Sequence, residues 1–119
     1  MTNRSLLFAT ILAAAGLAAG CGSSSTSPTT TTSDVKIQML GDRGNQSYSP
    51  NPTTMKVGKT VAWHNGDSTA HTSTQDAGKF DTGSVAAGSD SPAVTMSTAG
   101  TFTYHCTIHP GMVGTITVQ

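Results

Sequence analysis

The chain has 119 residues, a formal net charge of +0 and only 10% charged residues. That length bounds it to a single domain, and the charge balance excludes the basic surface that nucleic-acid binding demands. Ordinary domains are charged at roughly a quarter of their positions; here Thr, Ser and Gly fill the gap, which favours strands and turns over helices.

Residues 1–21 have the pattern of an export signal. Arg4 is the charged start, an apolar run extends from Leu6 to Ala19, and Leu17-Ala18-Ala19-Gly20-Cys21 supplies a cleavage region. The run, about fourteen residues, falls short of the roughly twenty that span a bilayer. The small residues leading into Cys21 resemble a bacterial lipobox, although Ala18 stands where Leu is more usual. The resemblance implies acylation of Cys21, which would hold the protein on a membrane surface without a span. Residues 22–33 contain no large apolar side chain, so burial cannot offset their ordering entropy and a flexible Ser/Thr-rich linker is expected. The folded domain is then 34–119.

In that domain, apolar residues alternate between turn signals. Val35, Ile37 and Met39 come first, then Met55 and Val57 before Gly58-Lys59, then Val61 and Trp63 before Asn65-Gly66-Asp67. Val94 and Met96 follow, then Phe102 and Tyr104 after Ala99-Gly100, and finally Ile116 and Val118. The pattern predicts an all-β protein, a Greek-key sandwich or barrel. Trp63, Phe80, Phe102 and Tyr104 are expected in or beside the core, with Met39, Met55 and Met96 as its fillers.

The segment Cys106-Thr107-Ile108-His109-Pro110-Gly111-Met112 places a thiol, an imidazole and a thioether at intervals of three. One loop between two strands can turn all three donors towards a point. Gly111 relieves the turn and Pro110 stiffens it. A second His from elsewhere would complete two His, one Cys and a weak Met, the ligand set of an electron-transfer copper site. His71, beyond the apolar strand Val61-Ala62-Trp63, is placed to supply it. Structural zinc is the competing reading, but it usually takes a fourth Cys, His or carboxylate rather than a thioether. A buried Cys with His nearby by chance is the other. With Cys21 used as an anchor, Cys106 has no disulfide partner, and an exported lone thiol needs burial or a metal against oxidation. Strand alternation turns His105 away from the side Cys106 faces, and leaves His64 towards solvent.

Several stretches carry a family resemblance: Tyr48-Ser49-Pro50-Asn51-Pro52, Val57-Gly58-Lys59-Thr60-Val61-Ala62-Trp63, Phe80-Asp81-Thr82-Gly83 and Ala99-Gly100-Thr101-Phe102-Thr103-Tyr104-His105-Cys106. In that order they resemble a small cupredoxin of the plastocyanin, amicyanin and halocyanin group, over about residues 35–119. The Cys-x-x-His-Pro-x-Met loop is similar to the short amicyanin type. The resemblance implies a sandwich of seven or eight strands, His71, Cys106, His109 and Met112 as ligands of one type 1 copper ion, and an apolar docking patch at the edge of His109 bordered by Pro50, Pro110 and Val113. It implies single-electron shuttling between a protein donor and acceptor met transiently, outside the cytoplasm, by a monomer that is not an enzyme. Copper binding and delivery is the alternative. Multicopper oxidases, which resemble this chain in placing a His before the Cys, also place one after it, where Thr107 stands here. Thr72 is a second departure, since many members have Asn after the first ligand His. Its hydroxyl leaves a tie between the ligand loops available in altered form.

Overall fold

The computed structural model describes residues 32–119. The expected export segment, Cys21 and most of the linker lie outside the described residues. Eight strands run in chain order as β1 (Val35–Met39), β2 (Tyr48–Ser49), β3 (Thr53–Met55), β4 (Thr60–Asn65), β5 (Thr74–Gln75), β6 (Val94–Thr95), β7 (Gly100–His105) and β8 (Val113–Val118). One short 3₁₀ turn, Gly44–Gln46, interrupts them. The strands form two four-stranded sheets, ordered β2-β1-β4-β6 and β3-β8-β7-β5. Within them β1 runs parallel to β4 and β3 parallel to β8, while β7 and β8 form an antiparallel pair over six residues. The all-β sandwich is as the sequence predicts.

Alternation selects the core. Ile37 and Met39 on β1, Val61 and Trp63 on β4, Tyr104 on β7, and Ile116 and Val118 on β8 all turn inward and are buried. Each such side chain contributes about 1.5–3 kcal/mol by leaving water. Trp63 packs edge-on to Tyr104, with ring centroids 5.6 Å apart, and tilts against Phe80 at 5.3 Å. Tyr104 lies opposite Gly114 in the β7–β8 register, where a Cβ would overlap its ring and hydroxyl. Glycine there is the condition for a tyrosine beside it.

One detail departs from the alternation. Val57 lies beyond β3 in the turn to β4 and is 46% exposed. Phe102 is partly buried and packs beside the core, as expected. Met39, Met55 and Met96 are all core residues. Strands β1, β4 and β7 end at the same pole of the sandwich, where β8 begins, and their connections build the site.

Candidate metal centre

His71 stands on the loop that follows β4, and Asn65, the last residue of β4, shapes that loop. The buried Asn65 amide donates to the carbonyls of Thr69 and Val85 at 2.7 and 2.8 Å, and its side-chain oxygen accepts from the Asp67 N–H at 3.0 Å. The loop is thereby closed on itself, and His71 exchanges backbone bonds with Val85 at 3.1 and 2.8 Å. Cys106 directly follows β7. Its N–H donates to the Met112 carbonyl at 3.0 Å, and the Met112 N–H to the His109 carbonyl at 2.9 Å. These two bonds fold residues 106–112 into a compact loop leading into β8.

The two loops bring three donor atoms together. The Cys106 Sγ lies 3.8 Å from Nδ1 of His71 and 3.8 Å from Nδ1 of His109. The two imidazole Nδ1 atoms are 3.1 Å apart, and all three donors fall within 4.8 Å of one another. Cys106 and Met112 are fully buried, His71 is 1% exposed, and His109 is half-buried. Of the four expected donors, His71, Cys106 and His109 are brought together, and Met112 is buried on the same loop. His105 and His64 are not part of the group. On outer faces of the sandwich, His105 contacts Asp76 and His64 contacts Asp90, each at 2.6 Å.

Electrostatics prepare this trio for a cation. Burial pushes the Cys106 thiol up, yet hydrogen bonds from the backbone N–H groups of Thr72 and His109 and from the two imidazoles overcome it, bringing the group down to about 6. The Thr72 N–H lies 3.3 Å from the sulfur. The thiol therefore ionises more readily than a free one, and a thiolate is what binds a soft metal. The far nitrogen of His71, Nε2, faces Asp67 Oδ2 at 2.9 Å. The His71 hydrogen bond is the main cause holding Asp67 down at about 2. An ionised carboxylate only accepts, so Nε2 carries the proton towards Asp67 and Nδ1 is the nitrogen turned to the sulfur.

Asp67 was not singled out by the sequence. Its signal was an acid four residues before the candidate His, inside the turn Asn65-Gly66-Asp67. Thr72, noted as a departure, ties the loops as its hydroxyl allows. Its Oγ1 accepts from the Thr107 N–H at 2.9 Å and lies 3.2 Å from the Thr107 hydroxyl. On its other side, the buried Tyr48 hydroxyl donates to the Thr72 carbonyl at 2.6 Å.

A mixed thiolate and imidazole set, buried and pre-tied from two loops of a Greek-key sandwich, defines a cupredoxin. The family model for copper binding proteins of the plastocyanin/azurin family matches residues 35–119, and the chain belongs to that family. It is similar to plastocyanin from Scenedesmus fuscus, at 34% identity, with 72% of this chain and 100% of that protein covered. Among solved structures it resembles the purple cupredoxin of Nitrosopumilus maritimus, at 30% identity and a TM-score of 0.63, covering 72% of this chain and 100% of that one. A variant of amicyanin in its Cu(I) form matches at 26% identity and a TM-score of 0.62, over 71% of this chain and 81% of that one. A copper-containing nitrite reductase from Thermus scotoductus matches with a TM-score of 0.62, but over only 22% of its own chain. The protein is a blue copper electron-transfer protein with a single type 1 copper site.

Proposed function

We propose that His71, Cys106, His109 and Met112 hold the copper, and that the domain spanning residues 34–119 carries single electrons between a protein donor and a protein acceptor outside the cytoplasm. The observation that carries this reading is the convergence of a buried imidazole, a half-buried imidazole and a buried thiol from two separately braced loops. Copper, when bound, supplies one-electron chemistry by alternating between Cu(I) and Cu(II). The chain supplies rigidity. Asp67 fixes the His71 ring, Thr72 fixes the 106–112 loop and donates its N–H to the sulfur, and neither needs to move when an electron passes. Met112 fills the remaining place as a weak thioether.

The half-buried ring of His109 gives the electron its way out. Exposed Ile108 and Pro110 adjoin it in the chain, exposed Val113 opens β8 where the loop ends, and the Asn51 amide beside Pro50 reaches the Val113 carbonyl at 3.4 Å. A small apolar face of this kind suits brief encounters at the low end of interface size. A monomer that acts as carrier rather than enzyme fits a single site with Thr107, not His, after Cys106. Export through residues 1–21 and a lipid tether at Cys21 complete the proposal.

Copper delivery is the competing role, and burial of His71 and Cys106 favours retention instead. The test is rapid mixing of the copper-loaded chain with a small one-electron oxidant and then a reductant. Repeated cycling with the metal still bound after gel filtration is expected. Transfer of the metal to a competing apoprotein within one cycle would favour delivery.

A further inference from the structure

The pole opposite the metal site has a chemistry of its own. There β3 ends at Met55 and β4 begins at Thr60, joined by the turn Lys56-Val57-Gly58-Lys59. The turn is braced from both sides, by Val57 N–H to the Gln119 carbonyl at 3.1 Å and by Gly58 N–H to the Met96 carbonyl at 2.8 Å. Gly58 adopts φ +84°, where a side chain would be strained. The bracing holds Val57 out in solvent, one of only a few large apolar side chains so exposed among the described residues.

Cations gather around it. Lys56 and Lys59 flank Val57, and Lys79 lines a neighbouring groove with Phe80, Val94, Met96 and Phe102. Among the described residues Lys59 pairs with Asp34 at 3.1 Å, whereas neither Lys56 nor Lys79 has an ion-pair partner. Near the metal pole the acids are Asp67, on the His71 loop, and Asp42, which stands beside Arg43 in the chain and sits 3.4 Å from where a Cβ on Gly111 would stand. The six residues of β7 separate the poles by roughly 17 Å.

The chain also joins the sandwich at this lysine pole. Asp34, just before β1, caps the start of β4 by accepting from the Thr60 N–H at 2.9 Å. Any tether upstream of residue 34 therefore reaches the domain beside Lys56–Lys59 and away from the site. Two independent features, the point of chain attachment and the charged, valine-tipped turn, coincide on one end.

We propose that this pole rests on an anionic lipid surface, with Lys56, Lys59 and Lys79 over the headgroups and Val57 at the acyl boundary. Each basic residue near such a surface contributes on the order of a fivefold gain in affinity. Too weak to anchor the domain alone, the patch decides which end a tethered domain turns to the lipid. The arrangement presents the half-buried His109 edge outward to soluble partners. It rests on the tether proposed for Cys21 for its strength and for one of the two features that orient it.

The test uses the exported, copper-loaded chain bearing Val57→Trp or Ile108→Trp, mixed with vesicles whose acyl chains are brominated to quench tryptophan. Native Trp63 is fully buried and supplies a constant background. Flotation on pure phosphatidylcholine vesicles reads the tether. The gain on adding phosphatidylglycerol reads the pole. Quenching of Val57→Trp but not Ile108→Trp is expected, dependent on phosphatidylglycerol, weakened by salt, and reduced about 25-fold in apparent affinity by Lys56→Gln with Lys79→Gln. Equal quenching at both positions, indifference to phosphatidylglycerol, or no effect of the lysine changes would overturn it. Capture of the Lys pole by an acidic protein without any lipid effect would do the same.

Discussion

Two histidine–aspartate contacts of similar length behave as opposites. His71 meets Asp67 at 2.9 Å within the metal pole, and His105 meets Asp76 at 2.6 Å on the outer face of the second sheet. The shorter contact is the less consequential. Both partners of the His105 pair are about a third to a half exposed, so water and ions screen them, whereas the His71 ring is 1% exposed. A buried ring that loses its acceptor keeps the full desolvation penalty. Burial, not distance, determines what a polar contact is worth here.

Removing each carboxylate in turn breaks the comparison most sharply. Asp67→Ala is expected to weaken copper binding by about 10- to 100-fold, the usual effect of losing the partner that orients a ligand His, measured by competition with a chelator of known affinity. Asp76→Ala should leave copper affinity unchanged and stability within about 0.5 kcal/mol. Equal effects of the two changes would show that the His71 tie is ornamental.

A smaller effect is expected at the second tie. Thr72→Val keeps the shape but removes the acceptor for the Thr107 N–H, which should cost about 1 kcal/mol in denaturant unfolding of the metal-free chain. Thr72→Ser should restore most of the loss. A Val variant as stable as the Ser variant would place the linkage elsewhere.

The smallest effect belongs to an exposed pair. Backbone and side-chain bonds from Thr60, with Lys59, bring Asp34 down from 3.8 to about 2. Its folded form therefore binds protons less readily than its unfolded form. The stabilisation is complete above about pH 4 and lost as pH falls towards 2. Asp34→Asn should flatten that part of the stability curve, and the same slope in both proteins would contradict the assignment. Asp67 adds to the same acid window with the same sign.

What the sequence made legible follows from the same distinction. Strands with three or more alternating large side chains, such as β1, were plain because one face is apolar. β2 and β5 have two residues each, too few for a period to register, and tertiary pairing alone makes them strands. The thiol and imidazole spacing of 106–112 was visible because chemistry fixes it. Asp67 was not, since a turn aspartate is ordinary until a fold aims its carboxylate at a buried ring. Val57 continued an apolar alternation, but the positive φ of Gly58 turns the chain first.

The central claim is that the Cys106 sulfur, between the rings of His71 and His109, binds the copper. The visible spectrum after loading with one equivalent of Cu(II) tests it directly. An intense blue thiolate-to-copper band is expected from the native chain and should be absent from Cys106→Ser. The same band in the serine variant would contradict the account.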